Sequence, residues 1–532
     1  MRITTIGHAG LLVEAGGARI LCDPWFNPAY LASWFPFPRN DGLDLDVLAR
    51  PDYLYVSHLH RDHFDPAFLS EHVDPSTTIL LPDYPLDLME REMRRLGFRS
   101  FLRTKDGVPE VLGDLTLTVV ALGAPTDGPI GDSALLVEDG SGRILNLNDA
   151  RPTDLGPFLA GGPIDVLFLQ TSGAIWYPMV YDFPPEKMAA LGARKREAGL
   201  ERAERLVDLL DPAVTVSFAG PPCFLDDELF HLNDLDRDPT NTFPDQTVFL
   251  EHLAQRRGPG SGRLMVPGSV GELGVAGFEV SHPCGDEEVA AIFSGKERYL
   301  RAYQRDRHAV ISAERAAWGH DGIDLVDGMS AWIEPLLAGA ERLCSEIGGS
   351  VVVDFGDVPL VVDFRNRRVG RWSGEAWDHR FSFEREVGEH LLHDRVEDWV
   401  NDAFLSCRFR ASRRVPHNDS VFSFFKCLSE ERMGYLERWI AEQEANEETI
   451  ALGGWRVQRR CPHAKADLSR FGVVAGDTLT CHLHGYRYDL ASGQCLTNPR
   501  LRIEAEPIVP GAGGIPAPAN PPPGGAGPAG AD

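Results

Sequence analysis

Two groups of residues carry most of the chemistry open to this 532-residue chain. Cys461-Pro-His463 is followed, after 17 residues, by Cys481-His-Leu-His484, so two short loops each offer one thiolate and one imidazole. This donor set suits a 2Fe-2S cluster in which two thiolates hold one iron and two imidazoles the other. Exchanging anionic for neutral ligands raises the reduction potential, and such a cluster moves one electron at a time. The same four residues could instead hold a tetrahedral zinc ion, although zinc modules typically use tighter Cys-x₂₋₄-Cys pairs. His482 reads as a solvent-facing spacer, and Cys495, Cys344, Cys407 and Cys427 as small core residues.

The second group is His58-Leu-His60-Arg-Asp62-His63, four potential metal ligands in six residues. The YLYV run before it reads as a buried strand, so the turn beyond can point three imidazoles and a carboxylate into one cleft. His58, His60, Asp62 and His63 are candidate metal ligands, with Asp62 and His63 taken as the catalytic pair.

The elements that must position these groups are legible as patterns. Strand-like runs open the chain at Arg2–Ile6, Gly10–Glu14 and Arg19–Cys22, ALLVEDGSGRILNLND reads as a hairpin, and PIDVLFLQ as an interior strand. From about 286 to 435, helical stretches such as SAWIEPLLAGAERLCSEI are interrupted by VVVDFGDVPLVVDF, a predicted β-hairpin. Tyr435–Asn446 reads as a helix, after which a strand-and-turn module runs to about Val509. Residues 510–532 hold seven Pro and seven Gly with little to bury and are expected to be disordered. The expected organisation is α+β multidomain: a metal domain over 1–285, a mixed α/β middle module over 286–435, a small all-β module over 436–509, and the tail.

Composition narrows the partners. At 43% apolar and 25% charged residues the chain is globular and water-soluble in type. Lys plus Arg total 52 against 79 acidic residues, a net charge of −27 that disfavours nucleic acid and anionic membrane surfaces. The opening MRITTIGHAGLLVEAGG lacks secretory-signal features, no long apolar run suggests a membrane span, and nine Cys show no framework spacing, so a reducing cytoplasm is expected.

Residues 449–508 resemble Rieske 2Fe-2S domains, which implies that Cys461, His463, Cys481 and His484 bind the cluster, with HGYRYDLASGQCL as the hairpin beneath the second loop. The His58 string resembles the first metal motif of the metallo-β-lactamase superfamily, whose metals lie between the layers of an αββα sandwich. TTIGHAGLLVEAGGARILCDPWF resembles the first hairpin of that fold, and ILNLNDAR places Asp149 at the superfamily's metal-bridging carboxylate. Such a carboxylate supplies the negative charge that two hard cations about 3.5–4 Å apart require. One departure stands out: no His occurs between His72 and His231, and APTDGPIGDSALLV offers Thr126, Asp127 and Asp132 in place of the superfamily's intermediate His. An Asp there would favour iron or manganese over zinc; a mononuclear or degenerate site is the other option. The last ligand could be His231, competing with Asp226, Asp227 and Glu228. His8 and Asp23 read as groups that orient ligands.

A hydrolytic two-metal site has no use for electrons, whereas a Rieske centre only moves them. Their fusion points to a redox-active iron site, mono- or dinuclear, reduced by the cluster to activate dioxygen beside a substrate. The pairing resembles the CMP-N-acetylneuraminate hydroxylase family, with the domain order reversed. DPWFNPAYLASWF, YLYVSHLHRDH, ERLVDLLDPAVTVSFAG and AFLSCRFRASRRVP are similar to that family's segments, in the same order. The resemblance implies a Rieske-coupled monooxygenase hydroxylating a polar, anionic, nucleotide-sugar-like small molecule, with a ferredoxin or flavoprotein reductase as electron donor. Arg408, Arg410, Arg413 and Arg414 are the sequence's candidates for holding that anion. The alternatives are a zinc or manganese hydrolase of phosphoester, lactone or amide bonds with an accessory Rieske domain, and an oxygen reductase without organic substrate. Oligomeric state is open.

Overall fold

A computed structural model describes residues 1–123, 128–320, 322–443, 448–463 and 465–508. Thr126 and Asp127, and the tail expected to be disordered, lie outside the described residues. The chain divides into two compact units, Met1–Asn446 and Glu447–Asp532.

In the first unit two sheets face each other. One has eight strands in the order Gly277–Ser281, Val270–Gly274, Arg2–Gly7, Gly10–Ala15, Ala18–Cys22, Tyr53–Tyr55, Thr78–Leu81 and Ser100–Arg103. The other has seven, in the order Gly262–Arg263, Val214–Phe218, Val166–Gln170, Gly142–Asn146, Asp132–Asp139, Leu115–Leu122 and Glu110–Leu112. The apolar run Leu11-Leu12-Val13 does not alternate with polar residues because both faces of its strand are buried. Leu11 and Val13 enter the core between the sheets with Leu117, Val119, Leu135 and Phe168. Leu12 points the other way, to Phe68 and Leu69 of the helix Pro66–His72 and Met89 and Met93 of the helix Leu88–Arg95. The second sheet carries the helix Gln246–Arg257 against its strand Val214–Phe218. This is the αββα metallo-β-lactamase-like sandwich expected from the sequence.

The predicted hairpin at VVVDFGDVPLVVDF forms as Ser350–Phe355 paired antiparallel with Val358–Asp363. It belongs to a five-stranded sheet completed by Arg368–Arg371, His379–Phe383 and Phe409–Arg413, flanked by the helices Leu325–Gly339, Glu341–Ile347, Arg385–His393, Asp419–Phe425 and Glu430–Gln443. Its core is continuous with residues of the sandwich, taking in Trp25, Tyr30, Leu31, Trp34 and Phe224. Backbone bonds join the two: Ala411 N–H donates to Val180 O (2.8 Å), and Asp182 N–H to Ala411 O (3.0 Å).

The second unit is small and mostly β. It has two three-stranded sheets, Thr449–Leu452, Trp455–Gln458 and Ala505–Pro507, then Gly472–Ala475, Thr478–Cys481 and Tyr486–Asp489. One helical turn, Leu468–Phe471, is capped by Asp467, whose side chain accepts from Ser469 N–H. Among the described residues no helix is long and apolar enough to cross a membrane.

Candidate functional site

The parallel strands Ala18–Cys22 and Tyr53–Tyr55 end side by side, which sets Asp23 beside Ser57 at the carboxyl end of the sheet. Asp23 is fully buried and accepts from Ser57 N–H (2.7 Å) and Ser57 Oγ–H (2.7 Å), while its Oδ2 lies 2.9 Å from His63 Nδ1. A carboxylate on Nδ1 fixes the ring and leaves Nε2 to face the cleft. Asp23 thus occupies the orienting place expected of it.

Six side chains form two adjoining groups, His8 with Asp62 and His63, and His58 with His60 and Asp149, each with its ligand atoms within 4.8 Å of one another. The groups meet at Asp149 Oδ1, which is 3.5 Å from His63 Nε2 and 3.9 Å from His58 Nδ1. His58 packs against both His60 and His63 with ring centroids 4.2 Å apart. His8, expected only to orient, approaches Asp62 Oδ2 at 2.9 Å within the first group. Asp132, at the start of its strand, lies 3.3 Å from His58 Nδ1, so an oxygen donor stands where the sequence lacks an intermediate His.

The fit to metal can be tested on the cleft itself. His58 Nε2, His60 Nε2, His63 Nε2 and Asp149 Oδ1 are all buried without a hydrogen-bond partner. Orphaned polar atoms in a core are costly, and imidazole nitrogens and carboxylate oxygens grouped in this way are donors that a cation could satisfy. The charge balance agrees. Burial opposes a proton on His63, yet Asp149, Asp62 and Asp23 hold its pKa up to about 10, so the carboxylates recruit positive charge where a metal would supply it. Burial alone would raise Asp62, but His63 and His8 hold it well below the usual carboxylate range.

Tyr30 was not foreseen. Its buried hydroxyl donates to Asp62 Oδ1, holding the carboxylate oxygen opposite His8. Tyr30, Leu31 and Ala32 all adopt left-handed backbone, with φ of 54°, 55° and 50°. Each such residue costs roughly 1–2 kcal/mol, so the surroundings must impose the run. Arg408 does so: Nε donates to Leu31 O (3.0 Å) and Nη2 to Ala32 O (3.3 Å), while Asp226 holds the guanidinium at 2.9 Å. Arg408→Met is expected to destabilise the Met1–Asn446 unit by about 2 kcal/mol, because the Leu31 and Ala32 carbonyls lose their donors and buried Asp226 keeps only Arg315, at 3.2 Å, as counter-ion. Calorimetry of the whole protein checks this; an unshifted transition would refute the clamp.

The remaining sequence candidates lie elsewhere. His231 is exposed on the turn Phe230–Leu232, outside both ligand groups, and Asp226 is committed to Arg408. Arg408 is thereby engaged, Arg413 lies over Tyr177 and Tyr181, and Arg414 stacks on Trp377.

In the second unit, Cys461 and Cys481 are buried and share a hydrogen bond, and Tyr488 Oη is 3.3 Å from Cys461 Sγ. Burial alone would raise the Cys461 thiol, but its hydrogen bonds with Cys481 and Tyr488 lower it, and the same bond raises Cys481, so the two sulfurs share a proton that ligation would displace. The His463 and His484 rings meet edge to face at 4.9 Å, and His463 stacks on Tyr486 at 3.8 Å. Thiol thus sits with thiol and imidazole with imidazole, the pairing a two-iron cluster with unlike ligand sets requires.

Family comparisons agree with this anatomy. A beta-lactamase superfamily domain matches residues 2–182, an Rv3818-like, SCP2-like domain residues 325–442, and a Rieske [2Fe-2S] domain residues 450–507. A Mycobacterium tuberculosis protein named for its Rieske 2Fe-2S iron-sulfur character is 46% identical over 506 residues, covering 93% of this chain and 98% of its own length. The chain belongs to this Rieske iron–sulfur family. A Mycolicibacterium smegmatis Rieske protein is 45% identical over 511 residues, with 93% and 98% coverage. Cytidine monophosphate-N-acetylneuraminic acid hydroxylase of Pan troglodytes is 26% identical over 238 residues, 41% of this chain and 38% of that one. As a Rieske family member the protein is built for a 2Fe-2S cluster, and its class is that of redox proteins.

Proposed function

We propose that this protein is a Rieske-coupled non-haem iron monooxygenase that hydroxylates a polar, anionic small molecule. The observation that carries the reading is one chain holding both a Rieske domain and a second, buried ligand cluster with orphaned imidazole and carboxylate atoms. Cys461, His463, Cys481 and His484 hold the cluster; His58, His60, Asp62, His63 and Asp149 hold the sandwich metal, with His8 in reach of the same site. When bound, the cluster supplies single electrons and the sandwich iron a site for dioxygen reduction beside the substrate.

The chain's own part is positioning and exclusion of water. Asp23 holds His63, Asp132 holds His58, and Tyr30 with His8 holds Asp62, so three ligands are fixed before any metal arrives. Trp25 and Trp34 are fully buried around the loop bearing Tyr30, which keeps that wall of the cleft dry. A mixed set of imidazoles and carboxylates suits non-haem iron. The 26% likeness to a nucleotide-sugar hydroxylase supports a hydroxylation and an anionic substrate. A separate ferredoxin or flavoprotein reductase supplies the electrons.

The test is metal and acid-labile sulfide analysis on anaerobically purified protein, followed by oxygen uptake with a reductase and candidate anionic substrates. Iron in excess of the roughly two atoms that accompany the cluster's sulfide is expected. Zinc in the sandwich, with ester hydrolysis indifferent to reductant, would replace this reading by the hydrolase. Oxygen uptake unaffected by any substrate would favour an oxygen reductase.

A further inference from the structure

We propose that the cavity between the His58–His63 loop and the middle module is the substrate chamber of the sandwich site, and that Arg61, Arg395 and Asp402 hold there a small anion that also carries hydrogen-bond donors. That the occupant is the substrate rests on the oxygenase reading; the cavity and its ligand chemistry do not.

The cavity encloses about 560 Å³, a size common to small-molecule sites. One wall is the metal loop, with Leu59, His60, Arg61 and Phe64. His60 belongs to a candidate ligand group and is half-buried, whereas His58, Asp62 and His63 are buried, so the ligand cluster reaches open space at His60. The facing wall belongs to the middle module: Asp394 and Arg395 just past the helix Arg385–His393, then Asn401 and Asp402, and Arg432 of the helix Glu430–Gln443.

The turn that bears Asp402 is shaped to present it. Over Val400–Phe404 the coil is widened, with Phe404 N–H donating to Trp399 O, five residues back, at 2.8 Å. Widened turns of this kind recur at functional sites. Val400, Ala403 and Phe404 are buried in the module's core, which leaves Asn401 and Asp402 to line the cavity. Asp398 pins the turn from behind, accepting from Asn401 N–H and from its side-chain amide at 2.9 Å each.

Most charges around the cavity are spent on one another. Arg432 pairs with Glu397 at 3.0 Å, His390 with Asp394 at 3.0 Å, Arg91 with Glu431 and Arg95 with Glu92. Among the described residues Arg61, Arg395 and Asp402 make no ion pair and no side-chain hydrogen bond. Arg395 only covers Trp332, its guanidinium 5.1 Å from the ring centre. Both arginines are exposed and Asp402 is half-buried, so all three have donors or acceptors free for a ligand in the cavity they share. Arg61 and Asp402 stand on facing walls and feel each other's charge without pairing. A ligand satisfies both only by offering an acceptor to the guanidinium and a donor to the carboxylate. Two guanidiniums against one carboxylate make the favoured ligand a net anion. Asp402 adds the demand for a hydroxyl or amine on the same molecule, since a bare anion would meet it as repulsion.

The test is calorimetric titration of the full chain, with its cluster and sandwich metal, at constant ionic strength. Glucose 6-phosphate and gluconate join an anion to hydroxyl donors, inorganic phosphate and acetate are anions alone, and glucose has donors alone. Wild type is expected to bind one of the first two more tightly than the other three, the tighter one naming the anion as phosphate or carboxylate. Arg61→Gln should weaken that ligand and the matching bare anion about tenfold each, the loss of one charge-assisted contact. Asp402→Asn should weaken the hydroxylated anion about tenfold and leave the bare anion bound as well or better. Neither side chain has a partner in the fold, so melting temperature and metal content should stay at wild-type values. The chamber is refuted if wild type binds none of the five, if glucose binds as tightly as the anions, or if both variants bind as wild type does. Binding lost in Asp149→Asn but unchanged in Arg61→Gln would move the anion from the cavity to the metal and refute it equally. Oxygen uptake is read separately, so binding without substrate-dependent uptake would keep the chamber and remove the oxygenase.

Discussion

Asp149→Asn is expected to empty the sandwich of metal while the 2Fe-2S cluster stays in place. Asp149 Oδ1 belongs to the His58 and His60 group and is where that group meets the other, 3.5 Å from His63 Nε2 and 3.9 Å from His58 Nδ1, and it is buried without a hydrogen-bond partner. The amide keeps the shape but removes the charge, and its N–H groups can donate to the imidazole lone pairs that would otherwise bind metal. Loss of a group that only orients a ligand lowers metal affinity roughly 10–100-fold, so loss of this ligand should reach at least the upper end of that range. Metal analysis after dialysis, with electron paramagnetic resonance of the reduced cluster as the internal control, reads both outcomes. Wild-type metal content in this variant would remove Asp149 from the ligand set and with it the two-group reading of the cleft.

Much of this cleft was legible because its ligands are local. His58 to His63 span six residues after a recognisable strand, and the period-2 packing of Leu11, Leu12 and Val13 fixes which face of the first sheet is inside. The hairpins Asp132–Asp139 with Gly142–Asn146 and Ser350–Phe355 with Val358–Asp363 announce themselves by apolar runs around polar turns. What was hidden depends on chain segments that meet only in the fold. Tyr30 reaches Asp62 from 32 residues away and does so through three consecutive left-handed residues, none of them Gly or Asn, so local propensity argues against the conformation. The device that imposes it, Arg408, is 377 residues from Leu31. Sequence reading placed Arg408 among anion-binding groups because it sits in a basic run; the structure spends its charge on Asp226 and its donors on backbone carbonyls. His8 was expected to orient and instead joins Asp62 and His63 as a potential donor, a distinction that needs distances.

Cys481→Ser separates the two halves of the chemistry. Cys481 ends the strand Thr478–Cys481, is fully buried, and shares a hydrogen bond with Cys461. Serine fits the space, but its hydroxyl gives up a proton far less readily than a thiol and offers iron a hard oxygen in place of a soft sulfur, so the cluster should be lost or held in small amount. The substitution lies in the compact unit Glu447–Asp532, and the sandwich ligands all lie in Met1–Asn446. Sandwich metal should therefore remain near the wild-type level while reductase-driven oxygen uptake falls to background, a loss of about two orders of magnitude or more for a step that depends on single electrons from the cluster. Acid-labile sulfide, metal content and oxygen uptake on one preparation read the three quantities together. Turnover that persists without the cluster would mean that the sandwich works without electrons, as a hydrolase does. Sandwich metal lost together with sulfide would mean that the two units do not fold independently, and would return the electron-transfer argument to its starting point.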